Sequence, residues 1–338
     1  MTATSRELVR YSETERGCRI DLSDNTNLWG APPSVARVLG DFGALEMSRY
    51  PCAYSPGLKR AIAKYAGVDE SMIVTGCGSD DVLDSAIRAF GGRGDLLGMQ
   101  NPSFSMIPVF AAVSGLSVKG VDSARLVDDM ASLDAQIIYL CTPNNPTGEV
   151  LSLETIEGIT SSSSGLVIVD EAYIEFGGTS CVNMLGRFEN LFITRTFSKA
   201  LGLAGFRIGY GVGSPAIVSR IEGARGPYKV SAISEAAGAE VLENDLEWVA
   251  DKAQEAVTNR NRFARALSSL GLTPIESGAN FLLIPVTGAR EIESRLRDRS
   301  IAVRAFEQLN GIGDALRVTV GPWPVMEEFL EALAAVSK

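Results

Sequence analysis

The strongest constraint on this chain is a pattern that recurs between about residue 56 and residue 245. Short, mostly apolar runs at 72–75, 95–99, 136–140, 166–169 and 191–193 alternate with stretches whose apolar residues recur at helical spacing. The runs are too short to be helices, and most lack the alternation of a strand with one wet face. Strands that are apolar on both faces belong in a mostly parallel sheet covered by helices on both sides. The fold class expected is therefore α/β, with a large domain built on that sheet. After Asp245 the pattern changes. A long helical stretch to about Leu270 leads to strands at 279–284, 301–303 and 316–320, with helices at 289–299 and 325–336. This α+β tail predicts a smaller second domain. The boundaries expected are 31–245 for the large domain, with 1–30 and 246–338 together forming the small one. Residues 1–20 are polar and read as a loose arm with a little helix.

Composition removes several classes of function. There is no histidine among the 338 residues, so any chemistry here moves protons with Lys, Tyr, Cys or carboxylates, and His-based triads and His metal sites are excluded. The net charge of −10 is a poor match for nucleic acid or an anionic membrane. No apolar run approaches membrane-spanning length, and the first residues lack the apolar core of a signal peptide. The cysteines at 18, 52, 77, 141 and 181 are odd in number and without metal or redox spacing. They read as reduced thiols, which points to the cytoplasm. Neither a Gly-x-Gly-x-x-Gly turn nor a Gly-Lys-Ser/Thr loop is present, so a nicotinamide or nucleoside-triphosphate site lacks its signature.

Chemistry-bearing residues stand at the strand ends, where open α/β sheets bind ligands. The run at 191–193 leads through Thr196-Phe-Ser198 to Lys199, and Arg207 follows eight residues later. A buried ammonium must pair or lose basicity, and a weakly basic amine is a nucleophile. Thr196, Ser198 and Arg207 suit a phosphate. A reactive lysine beside a phosphate site is what a pyridoxal 5'-phosphate (PLP) enzyme needs. The turn Gly76-Cys-Gly-Ser-Asp-Asp81 opens a helix that Ser79 or Asp80 can cap, and its free amides make a phosphate cradle. The strand at 136–140 ends in Pro143-Asn-Asn-Pro-Thr-Gly148, and that at 166–169 ends in Asp170-Glu-Ala-Tyr173. Glu171 is expected to point away from Asp170.

Together these pieces resemble the fold-type I PLP enzymes, and within them the histidinol-phosphate aminotransferase-like group of class I/II aminotransferases. The motifs that carry the resemblance are Pro143-Asn-Asn-Pro-Thr-Gly148, Asp170-Glu-Ala-Tyr173, Thr196-Phe-Ser-Lys-Ala200 with Gly205-Phe-Arg207, and Arg317-Val-Thr-Val-Gly321. They run in order through nearly the whole chain. The resemblance implies that Lys199 bonds the cofactor and then moves the substrate proton. Asp170 would pair with the pyridine nitrogen, Tyr173 and Asn145 with the ring's phenolic oxygen, and Phe104 would stack on the ring. Ser79, Asp80, Thr196, Ser198 and Arg207 would hold the phosphate. Tyr50 would reach it from a second copy, which implies a homodimer. Arg317 would bind the substrate's carboxylate or phosphate, and Trp29 and Asn280 match substrate-lining positions.

Some positions depart from the family pattern. Trp29 and Ile107 stand where tyrosine is common, and Lys229 where a neutral residue is usual. The function expected is amino-group transfer, with glutamate as donor and a 2-oxo acid or phospho-ketone as acceptor, and no metal. Two rivals are a threonine-phosphate decarboxylase-like lyase and a PLP-free binding protein.

Overall fold

The computed structural model describes residues 17–336, so most of the N-terminal arm lies outside the described residues. In chain order the strands are β1 (Ile20–Asp21), β2 (Ile73–Cys77), β3 (Leu96–Gln100), β4 (Ser117–Val121), β5 (Ile137–Cys141), β6 (Leu166–Asp170), β7 (Leu191–Thr196), β8 (Ile208–Gly213), β9 (Phe281–Pro285), β10 (Ile301–Ala302), β11 (Arg304–Leu309) and β12 (Gly313–Thr319). Seven of them make one sheet in the order β2-β8-β7-β6-β5-β3-β4. β8 runs antiparallel to both β2 and β7, and every other pair is parallel. The fold is the α/β fold expected, with a mixed and mostly parallel sheet.

The strand composition explains the covering. Along β5, β6 and β7, Ile138, Leu140, Val167, Val169, Leu191 and Ile193 enter one buried cluster. Ile137, Tyr139, Leu166, Ile168 and Phe192 enter the other. Each such side chain contributes roughly 1.5–3 kcal/mol of burial, so neither face can be left to water.

A third cluster fills the rest of the chain. It joins Ile20 and Leu22 to Phe263, Leu282, Leu316, Val318 and Phe329. A three-stranded antiparallel sheet, β11-β12-β9, lies here. β1 pairs in parallel with β10, Leu22 N–H donates to Ala302 O at 2.8 Å, and Thr319 N–H donates to Leu22 O at 2.9 Å. The start of the described chain is thus stitched to its end.

Two strands were not legible in the apolar pattern. β4 is an edge strand whose first four residues are exposed, and β11 is polar and mostly partly exposed. The apolar signal of a strand comes from burial on both faces, and these two have little.

Candidate active site

Three neighbouring parallel strands deliver three side chains to one end of the large sheet. β5 runs into the turn that carries Asn145, β6 ends on Asp170, and β7 leads to Lys199. Register sets Cys141 beside Asp170 and Asp170 beside Thr194, so the ends are level.

Asp170 is buried. Its Oδ2 accepts the Tyr139 hydroxyl at 2.8 Å and its Oδ1 accepts Ala172 N–H at 3.2 Å. Burial pushes its pKa up to about 6, partly offset by the Tyr139 bond. Glu171 points to the other face, as alternation requires. There it forms a buried ion pair with Arg195 at 2.8 Å and accepts Ser180 Oγ–H and Cys181 N–H. The adjacent acids therefore differ in environment: one faces the site and one is locked into the core.

Lys199 Nζ donates to the Asp24 carbonyl at 2.8 Å and lies 5.6 Å from the centre of the Tyr173 ring. Burial, and then the nearby Arg317 cation, lower its pKa to about 8. Tyr173 is buried, packs edge-on against Phe281 and takes an amide N–H from Asn25 at 3.1 Å. Its burial raises the phenol pKa. Arg317 is 8% exposed and donates to Asn145 Oδ1 at 2.6 Å and to the Ser23 carbonyl. Lys199, Tyr173, Asn145 and Arg317 are thus one connected group.

The phosphate-type residues lie at the start of the helix Gly78–Phe90. Cys77 is its N-cap residue, and neither Ser79 nor Asp80 makes the side-chain cap bond expected. The nearest carboxylate contact comes from Asp81, whose Oδ2 takes the Cys77 N–H at 3.1 Å. This turns Asp81 away from the first-turn amides of Ser79 and Asp80, which have no acceptor inside the helix. Gly78 has φ +79°, and a Cβ there would meet Arg207 Nη2 at 2.5 Å. A Cβ on Gly209 would strike Ser79 N and Gly78 C. The two glycines therefore let Arg207 and β8 close on the helix start. Arg207 donates to Ser198 Oγ at 3.4 Å and faces Asp80 Oδ2 at 3.5 Å. Ser198 N–H donates to Thr196 Oγ1 at 3.1 Å, which fixes the turn before Lys199.

The remaining expected residues lie as follows. Phe104 is partly buried and packs against the cluster under the sheet. Trp29 packs against the other cluster, with its Nε1 buried and without a hydrogen-bond partner among the described residues. Asn280 is buried and donates to the Asn25 carbonyl at 3.1 Å. Tyr50 is 84% exposed and stacks on Tyr228 at 5.1 Å. Lys229 is ion-paired to Asp81 at 2.8 Å, which accounts for its departure from a neutral residue. Sequence reasoning missed Tyr139, Arg195 and Asn25. The first two sit inside strands that read as plain core or as lead-in. Asn25 lay in a turn-rich stretch with several polar residues and nothing to single it out.

The aminotransferase class I and II family model matches residues 19–333. This chain belongs to the class I and II aminotransferases. It is 31% identical over 315 residues to a histidinol-phosphate aminotransferase of Caldanaerobacter subterraneus subsp. tengcongensis, covering 90% of this chain and 89% of that protein. Among solved structures, histidinol-phosphate aminotransferase from Sinorhizobium meliloti in complex with pyridoxal-5'-phosphate matches with a TM-score of 0.88 at 25% identity, over 95% of this chain and 91% of that one. L-threonine-O-3-phosphate decarboxylase from Porphyromonas gingivalis matches with a TM-score of 0.80 at 21% identity, over 94% of this chain and all of that one (100%), a likeness of fold alone. The residues of this aminotransferase fit a phosphate-bearing aldehyde cofactor. A weakly basic amine, a buried carboxyl and a glycine-lined cradle beside Arg207 are present together. Among the described residues no helix is long and apolar enough to cross a membrane, and no acidic, His or Cys cluster could hold a metal.

Proposed function

We propose that this aminotransferase holds PLP in the crevice around Lys199 and moves an amino group from glutamate to a phosphate-bearing ketone, giving an amine of the histidinol-phosphate type. The observation that carries this reading is the connected group of Lys199, Tyr173, Asn145 and Arg317 beside the Gly78 cradle. When bound, the cofactor supplies an aldehyde and an electron-withdrawing ring. Lys199 Nζ would be the group that holds that aldehyde, and the same amine would be the base that carries a proton from the substrate carbon. A pKa near 8 leaves a useful neutral fraction at neutral pH.

Asp170 holds the proton on the ring nitrogen, and a cation there would lower its own pKa and keep it charged. Tyr173 and Asn145 orient the ring's phenolic oxygen, and Phe104 covers its face. Ser79, Asp80, Thr196, Ser198 and Arg207 hold the phosphate. Arg317, with Trp29 and Asn280 near it in role, receives the substrate's anionic group by its planar fork. These assignments set the site between a large domain, 31–245, and a small domain formed by 1–30 and 246–338. We further propose a homodimer in which Tyr50 completes the site of a second copy. Exposed Leu39, Leu45, Met47, Tyr50 and Tyr228 would supply apolar surface to it.

The test is amino transfer from L-histidinol phosphate to 2-oxoglutarate, followed as glutamate formed. Formation of glutamate without carbon dioxide is expected. Carbon dioxide release from a phosphorylated hydroxy-amino acid, with no amino transfer, would replace this reading by the lyase. Transfer with glutamate but not with histidinol phosphate would remove the named substrate class alone.

A further inference from the structure

Residues 23–25 bind the site through three successive carbonyls. Ser23 O accepts from Arg317, Asp24 O accepts from Lys199 at 2.8 Å, and Asn25 O accepts from Asn280 Nδ2 at 3.1 Å. Asn25 stands at φ 56°, a left-handed conformation that Asn tolerates better than most residues. Its side chain is buried and lies between two hydroxyl groups. Nδ2 donates to the Tyr173 hydroxyl oxygen at 3.1 Å, and Oδ1 lies 3.2 Å from Thr319 Oγ1. Thr319 Oγ1 also accepts Asn25 N–H at 3.0 Å and donates to Leu22 O at 2.8 Å.

A phenol has one proton to give. Because Asn25 fills an acceptor position on the Tyr173 oxygen, that proton must point elsewhere. The Tyr173 ring also faces the Lys199 amine, 5.6 Å from its centre. An amide donating to the oxygen polarises the O–H and makes it the stronger donor. We propose that Asn25 is a positioning residue for Tyr173, fixing the direction and strength of the phenol's hydrogen bond into the site. This inference rests on the PLP reading, since the acceptor of that bond is the ring's phenolic oxygen.

The experiment is a pH titration of the visible absorbance band of the PLP-loaded protein, for wild type, Asn25→Gly and Asn25→Asp. Glycine keeps the left-handed backbone and deletes the amide. Aspartate keeps the shape, replaces the donor by an acceptor and adds charge. A weaker Tyr173 donor leaves the phenolic oxygen more basic. The midpoint is therefore expected to rise by about half to one pH unit in Asn25→Gly. A larger rise is expected in Asn25→Asp. A midpoint unchanged in both variants overturns the assignment of Asn25. A wild-type protein that forms no visible band with PLP removes the cofactor reading, and this inference with it.

Discussion

Tyr139→Phe removes one oxygen from a fully buried ring and leaves the packing volume nearly intact. What is lost is the 2.8 Å bond to Asp170. A hydrogen bond to a charged acceptor contributes about 1.5–3 kcal/mol, which corresponds to an upward move of roughly one to two units in the Asp170 pKa. In the cofactor-free protein that pKa is already about 6, against 3.8 for an ordinary aspartate. The folded state therefore binds more protons than the unfolded state between those values, and stability falls as pH rises through that window. By pH 7 the penalty is on the order of 3 kcal/mol. In the variant the window extends upward by the same one to two units. Urea unfolding of the cofactor-free protein should then show the variant less stable than wild type by about 2 kcal/mol at pH 8. At pH 4.5, where Asp170 is largely protonated in both folded proteins, the difference should shrink to well under about 1 kcal/mol. Equal losses at the two pH values would refute the reasoning, because packing alone is indifferent to pH.

Other outcomes follow from the same geometry. Glu171→Ala leaves Arg195 buried without its carboxylate and should cost about 3–5 kcal/mol in urea unfolding; a loss below about 1 kcal/mol would mean the pair is not a structural lock. In the cofactor-free protein, acylation of Lys199 followed by peptide mass spectrometry should rise with a midpoint near pH 8. A midpoint near 10.5, the ordinary lysine value, would contradict the burial argument. Mixing two inactive variants, Lys199→Ala and Tyr50→Phe, should restore part of the activity if Tyr50 serves a second copy. No recovery after proven subunit exchange would count against that role.

Much of the frame could be read from residues because burial writes itself into composition. Runs such as Leu166–Asp170 are apolar on both faces and then end abruptly on a carboxylate, which announces both a central strand and its functional end. The antiparallel course of β8 could not be read in this way, since direction leaves no mark on apolar content. Ser79 and Asp80 show a similar limit: helix-capping residues were visible, but the N-cap falls at Cys77, two residues before Ser79, and Asp81 takes the Cys77 amide. Asn25 and Tyr139 were hidden for a different reason. Each acts on the site through a long-range hydrogen bond, from Asn25 to Tyr173 across 148 residues and from Tyr139 to Asp170 across 31, and no local spacing encodes such a bond.

The most direct measurement is to fix the cofactor where it binds. The PLP-loaded protein is reduced with borohydride, digested, and the modified lysine located by mass spectrometry. The account predicts the label on Lys199, at the end of β7 and beside Tyr173. A label on another lysine, or spread over several surface lysines, would contradict it.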